Sequence, residues 1–193
     1  MKNARLLSKR WDMEDYIIML CDPLDVDSVI DIGTGNKGPV AQHYWQNVRK
    51  INQGYICDIW TLKECPPLWK PLKMNALDLL DVLDPKSVDV VQACGFLEHL
   101  TLKEAIKFIF DIAEVIAKKF IFFSAATTCH AYSAKAAGYD TEYKVKLDGN
   151  PYHEYKTIWN DEQFRDWGYE TNIDDIESGK FSLSKEIEAW KVL

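Results

Sequence analysis

Three glycines and two acids carry the most legible chemistry in this sequence. Gly33, Gly35 and Gly38 follow an apolar run in SVIDIGTGNKG, residues 28–38, at G-x-G-x-x-G spacing. Lacking side chains, they permit a tight turn and let the backbone approach a nucleotide, while the helix expected next presents its N-terminus. That spacing alone suits a dinucleotide. Asp31 changes the expectation, because it stands two residues before Gly33 at the tip of the run, where a pyrophosphate would bring negative charge. An acid there is better suited to a cationic ligand. S-Adenosylmethionine (SAM) carries an ammonium and a sulfonium, and a carboxylate can attract the ammonium directly or through water. A solvated acid capping the turn is the alternative. Asp58 ends GYICDI, where an acid can accept hydrogen bonds from the ribose hydroxyls of either nucleotide. Asn75, in KMNALDLL, could face adenine's exocyclic amine with the Ala76 amide toward a ring nitrogen, or it could form a turn.

These residues need a scaffold, and the chain shows a regular one. Short β-branched or aromatic runs recur as SVIDIG at 28, GYICDI at 54, KMNAL at 73, VDVVQACG at 88 and KFIFFSAA at 119, each predicting a strand buried on both faces. In GPVAQHYWQNVRK, the residues Val40, Ala41, Tyr44, Trp45 and Val48 fall on one side at helical spacing, predicting a packed crossover helix. Thr101 and Glu104 form a capping-box pattern ahead of AIKFIFDIAEVIAKK, which predicts a long helix ending on two lysines. TLKECPPLWKP and LDLLDVLDPKS, with their prolines, predict short or irregular connections after strands two and three. Five alternations of strand and helix imply a parallel, doubly wound α/β sheet. After residue 130 come a polar, tyrosine-rich stretch, a short helix candidate in NDEQFRDW, and two further strands, GYETNIDDI and KEIEAWKVL, joined by ESGKFSLS.

DIGTGNKG, the strand-two Asp58, NALDLL at 75, DPKSVDVV at 84 and GFLEHL at 95 together resemble class I SAM-dependent methyltransferases, in order, over residues 28–125. The resemblance implies a mostly parallel, seven-stranded sheet whose seventh strand is inserted antiparallel beside the sixth. It implies that Asp31, Gly33 and Gly35 hold the methionine part of SAM, that Asp58 holds the ribose, and that Asn75 and Ala76 hold adenine. Thr34 within the turn, Ile59 after Asp58 and Cys94 at the end of strand four complete the expected cofactor side. Two positions depart from the family pattern, because Gly38 comes one residue late and Asn75 stands where an Asp is usual. On this reading one domain spans 1–193, with an N-terminal helical segment (1–27), a cofactor-binding core (28–125), an acceptor-side cover and helix (126–168) and a C-terminal strand pair (169–193). The stretch NPYHEYKTIW at 150–159 also resembles a segment of small methyltransferases, with Tyr155 and Thr157 in place of a His and a Ser.

Catalytic residues are harder to read. Methyl transfer is an in-line displacement that needs a base only when the acceptor must lose a proton. Glu98 and His99, after strand four, and His130, after strand five, are the candidates, with helix-start hydrogen bonding as the alternative for the first two. Tyr152 and Lys156 show the Y-x-x-x-K spacing of short-chain dehydrogenases, but that family's glycine loop and Asn-rich turn are missing. Asn150-Pro151-Tyr152 resembles the N-P-P-Y of amino-methylating nucleic-acid enzymes, yet follows strand five rather than four and lacks a proline.

Composition narrows the classes. The four histidines are scattered without metal-ligand spacing, and the five cysteines show no C-x-x-C pair, so no metal is expected and free thiols in a cytoplasmic protein are. A formal charge of -7 disfavours nucleic acid as a partner despite the basic cluster Lys2, Arg5, Lys9 and Arg10. No apolar run is long enough for a membrane span, and the first fifteen residues lack a signal peptide's apolar segment. The expected partner is a small-molecule acceptor, with a non-catalytic nucleotide-binding module as the alternative.

Overall fold

A computed structural model describes residues 13–35, 38–60, 62, 65–126, 151–152, 156–174 and 186–193. Seven strands form one sheet in the order β3-β2-β1-β4-β5-β7-β6. They are β1 (Ser28–Ile32), β2 (Gln53–Cys57), β3 (Trp69–Leu72), β4 (Val88–Cys94), β5 (Ala117–Ala126), β6 (Glu170–Asp174) and β7 (Glu186–Val192). The first five are parallel, and β7 lies antiparallel between β5 and β6, as the resemblance implies.

Strand residues alternate between two apolar layers. Ile30, Ile32, Val91, Ala93, Ile121 and Phe123 enter one buried cluster with the helical stretch 102–116. Val29, Val90, Phe120 and Phe122 enter the other, with Ile17 and Cys21 of the helix Met13–Cys21 and with Tyr44 and Trp45. Burial on both faces explains why these strands read as continuous apolar runs. Much of the aromatic content forms a row from Phe96 through Phe108 and Phe123 to Phe164 and Trp159, with ring centroids 5.1–6.5 Å apart.

The structure corrects several local expectations. The third strand is WKPL, not KMNAL: Pro71 and Lys70 obscure it in the sequence, yet both are tolerated because β3 is an edge. Its anchor is Trp69, whose indole covers Gly54 so closely that a Cβ there would stand 2.4 Å from the ring. The first crossover helix is a π-type stretch, Tyr44–Arg49, that buries Tyr44 and Trp45 but leaves Val48 exposed. Lys50 is left-handed, and beyond it Ile51 turns back into the same core and fills the apolar place instead.

The capping box at Thr101 is present, with Thr101 Oγ1 accepting from the Glu104 amide and the Glu104 carboxylate accepting from the Thr101 amide. The helical stretch it opens ends at Ile116, so Lys118 and Lys119 belong to β5 rather than to a helix end. Their ammoniums lie 3.8 and 3.4 Å from the buried Asp89, which accepts from the Asp27 and Ser28 amides at 2.8 and 3.1 Å. Asn160 caps the helix Asp161–Asp166 through a second capping box with Gln163. The joining segment ESGKFSLS lies outside the described residues. Among the described residues no helix is long and apolar enough to cross a membrane.

Asp89 generates a test of this frame. Burial alone would raise its carboxyl, but the Asp27 amide and the Lys119 and Lys118 ammoniums outweigh that and hold it below the ordinary carboxylate range. Asp89→Asn should therefore cost about 1.5–3 kcal/mol at pH 7. The cost should be undiminished above about pH 4 and disappear as the pH falls through Asp89's lowered value. Urea unfolding of both proteins at pH 7 and in steps below 4 measures it; a pH-independent difference would mean that the carboxylate charge contributes nothing.

Candidate functional site

In the strand order, β1 lies between β2 and β4, so the crossovers leaving it diverge and open a crevice beyond the strand ends. A cleft lies there with about 870 Å³ of empty space, including its open mouth. Its walls come from Ile32 and Gly33 after β1, Cys57, Asp58 and Ile59 after β2, Asn75 and Ala76 after β3, and Gly95 and Phe96 after β4.

The glycine turn is built for close approach. Gly33 has φ +76°, and a Cβ there would stand 2.8 Å from the Phe96 ring, so both backbone and packing require glycine. Gly35 has φ +56° and nothing within 4 Å of where a Cβ would be, so its surroundings are open space on the cleft wall. The Gly33 amide donates to the Cys57 carbonyl at 2.8 Å and the Gly35 amide to Asp58 Oδ2 at 2.9 Å. Asp58 Oδ1 accepts from the Trp60 amide at 2.7 Å. The strand-two acid thus ties the turn to β2 and also lines the cleft.

Asp31 sits behind the turn, 1% exposed, and does not line the cleft. Its Oδ2 accepts from the Val40 amide at 2.5 Å and from Gln92 Nε2 at 2.9 Å, while Oδ1 has no hydrogen-bond partner. Burial pushes its carboxyl up to about 7, against the opposing pull of the Gln92 carboxamide and the Val40 and Ile32 amides. Thr34 also stands back from the cleft wall, and its Oγ1 is buried without a partner. Of the two roles open to Asn75, the structure shows the turn: Oδ1 accepts from the Leu77 amide at 3.0 Å and caps the 3-10 helix Ala76–Asp81.

The catalytic candidates divide. His99 lines the cleft. Glu98 is buried at 5% exposure, is not part of the cleft wall, and offers its backbone carbonyl to the Lys156 and Thr157 amides at 2.7 and 3.2 Å. His130 lies outside the described residues, as does residues 131–150 of the expected cover. Cys94 ends β4 half-buried and away from the wall.

Sequence reasoning missed Phe96, Leu100, Glu104 and Met74 on the wall, and it set aside Tyr152 and Lys156 as a coincidental spacing. Both of the latter line the cleft: the Glu98 carbonyl and the bond from Thr157 Oγ1 to the Leu100 carbonyl hold Lys156 and Thr157 at the β4 end, and Tyr152 meets Trp60 edge-on with ring centroids 6.3 Å apart. Gln92 was also missed; it lies opposite Asp31 in the β1–β4 register. Among the described residues no group of three or more His, Cys, Asp or Glu could hold a metal.

No protein-family model matches the chain, and no curated protein is significantly similar to it in sequence. Solved structures are similar in fold. A SAM-dependent methyltransferase from Archaeoglobus fulgidus has a TM-score of 0.60 at 15% identity, covering 93% of this chain and 92% of that one. The plantazolicin methyltransferase BamL, solved with a triazolic desmethylPZN analog and SAH, has a TM-score of 0.65 at 12% identity, covering 93% and 82%. The methyltransferase domain of bacterial CtHen1 has a TM-score of 0.57 at 14% identity, covering 93% and 97%. At these identities the likeness shows the fold, which is that of the class I SAM-dependent methyltransferases.

The buried Asp31 has a consequence for stability. Between about pH 4 and 7 the folded chain keeps a proton that the unfolded chain has shed, so this group makes stability fall as pH rises, by up to about 1.4 kcal/mol per unit. Asp31→Asn should remove that slope. Urea midpoints at pH 5, 6 and 7 measure it, and parallel profiles for the two proteins would mean that Asp31 is ionised throughout.

Proposed function

We propose that this chain is a SAM-dependent methyltransferase acting in the cytoplasm on a small-molecule acceptor. The observation that carries the proposal is the glycine turn, whose open space at Gly35 lies on the cleft wall beside Asp58, with two buried atoms behind it, Asp31 Oδ1 and Thr34 Oγ1, that have no partner. Above about pH 7, where Asp31 is ionised, its carboxylate only accepts, and the Thr34 hydroxyl can donate, which is the complement of an amino-acid end carrying an ammonium and a carboxylate. Each buried group left unpaired costs about 1–3 kcal/mol, so a ligand that pairs both gains on both. A pyrophosphate at the same place would set negative charge against Asp31. The fold likeness, the open space at Gly35 and the free cysteines among the described residues support the same reading.

SAM, when bound, supplies an electrophilic methyl group on a sulfonium. The chain's task is to hold the acceptor atom against that methyl in line, which can lower the barrier by up to about 7–11 kcal/mol. Asp31 and Thr34 would hold the amino-acid end, Asp58 the ribose hydroxyls, and Ile59 and Ala76 the adenine side. Phe96, Leu100 and Tyr152 form an apolar and aromatic wall that would exclude water from the acceptor. His99, on the cleft wall, would take a proton from an acceptor hydroxyl or amine that must lose one. Glu98 would act on the site through the Lys156–Thr157 backbone that its carbonyl fastens. The charge of -7 argues against a nucleic-acid acceptor.

Calorimetric titration of SAM and adenosine separates the two acids by role. Asp58→Ala should weaken both ligands by about 1.5–3 kcal/mol, since both carry the ribose. Asp31→Asn should weaken SAM and leave adenosine near wild type; equal losses for adenosine would make Asp31 a support of the loop alone.

Gly35→Asn tests the open space directly. Asparagine tolerates left-handed backbone better than most residues, so the variant should keep its melting temperature within a few degrees and lose SAM binding. Normal SAM binding would place the site elsewhere. Turnover with candidate acceptors then decides between an enzyme and a binding module, because a module would bind SAM and never consume it.

A further inference from the structure

We infer that Gln92, locked by Trp45, is a positioning residue that fixes the orientation in which the Asp31 carboxylate meets a cationic ligand. Gln92 is fully buried on β4, directly opposite Asp31 on β1. Its carboxamide has one way to sit. The indole Nε1 of Trp45 can only donate, and it reaches Gln92 Oε1 at 3.1 Å, so the oxygen must face the indole. The two N–H bonds then point the other way, to Asp31 Oδ2 and to the Val40 carbonyl, each at 2.9 Å.

Val40 completes the lock from the loop side. Its amide donates to Asp31 Oδ2 at 2.5 Å while its carbonyl accepts from Gln92, so one residue's backbone joins both side chains. With two donors on one oxygen, the carboxylate is held in one orientation. Oδ1 is therefore held as the acceptor without a partner. A carboxylate without those donors would have no fixed orientation to present. Neither Gln92 nor Trp45 lines the cleft, so both act through Asp31.

The inference rests on the reading of Asp31 as the receptor for the ligand's ammonium, and its test keeps the two apart. S-Adenosylhomocysteine carries the ammonium, whereas 5′-methylthioadenosine keeps the nucleoside and thioether and lacks the amino-acid end. Both are titrated calorimetrically against wild type, Gln92→Met and Trp45→Phe. Gln92→Met keeps length and removes all three hydrogen bonds. Trp45→Phe keeps an aromatic ring and removes the N–H, which frees the carboxamide to turn its oxygen toward Asp31.

Gln92→Met should weaken S-adenosylhomocysteine by about 10- to 100-fold, the range of a hydrogen bond to a charged group, with methylthioadenosine within about threefold of wild type. Trp45→Phe should shift the same ligand in the same direction by a smaller factor, and it decides the matter if Gln92→Met does not fold. Equal losses for the two ligands, or none for either, would overturn the positioning role while leaving the cofactor reading intact. Wild type failing to bind S-adenosylhomocysteine would overturn both.

Discussion

The arrangement of the site depends on a single buried carboxylate. Asp31 is placed at the tip of the first strand, beneath the glycine turn and away from water, where an acid with no partners would be costly to keep. Gln92 and the Val40 amide compensate one of its oxygens and, in doing so, fasten three parts of the fold together. They join β1 to β4 at the point where the crossovers diverge, and they pin the chain where it leaves the turn toward Trp45. The remaining oxygen, with the Thr34 hydroxyl three positions on in the sequence, is a demand that the protein itself does not meet. Function on this reading grows out of an unfinished hydrogen-bond network.

The opposite side of the cleft is held by different means. Backbone bonds between loops hold it. The Glu98 carbonyl receives the Lys156 and Thr157 amides, and the Trp159 amide reaches the Ala126 carbonyl at 3.2 Å at the end of β5. Beneath them, the aromatic row from Phe96 to Trp159 packs against the sheet. The first ring of that row is also the one that forbids a side chain at Gly33. Cofactor side and acceptor side therefore share one piece of packing, so a change at Phe96 would be felt on both.

Asp58 and Glu98 show how an acid's role follows its surroundings. Each was expected to act on a ligand through its side chain. In the structure Asp58 also accepts from the Gly35 and Trp60 amides and shapes the turn. Glu98 turns inward and contributes its carbonyl to the cover. Asn75 is used in the same way, as the cap of a short helix whose first residue, Ala76, lies on the cleft wall.

What the sequence by itself determined is everything that rests on neighbours a few positions apart. Runs of β-branched and aromatic residues marked four of the five parallel strands, Thr101 with Glu104 marked a helix start, and the glycines after Ile32 marked the turn. Those signals are legible because strand alternation, capping and left-handed turns are properties of local backbone. Tertiary structure alone decided the rest. The edge strand WKPL exists because Trp69 lies across Gly54, fifteen positions earlier, and Gly33 is compelled by Phe96. Trp45 and Gln92 meet across 47 residues, and Gln92 and Asp31 across 61. Lys156 on the cleft wall is tied by its amide to a carbonyl more than fifty positions away. Such pairs leave no period and no spacing in the chain, because it is the order and register of the strands, set by packing of the whole sheet, that brings them together.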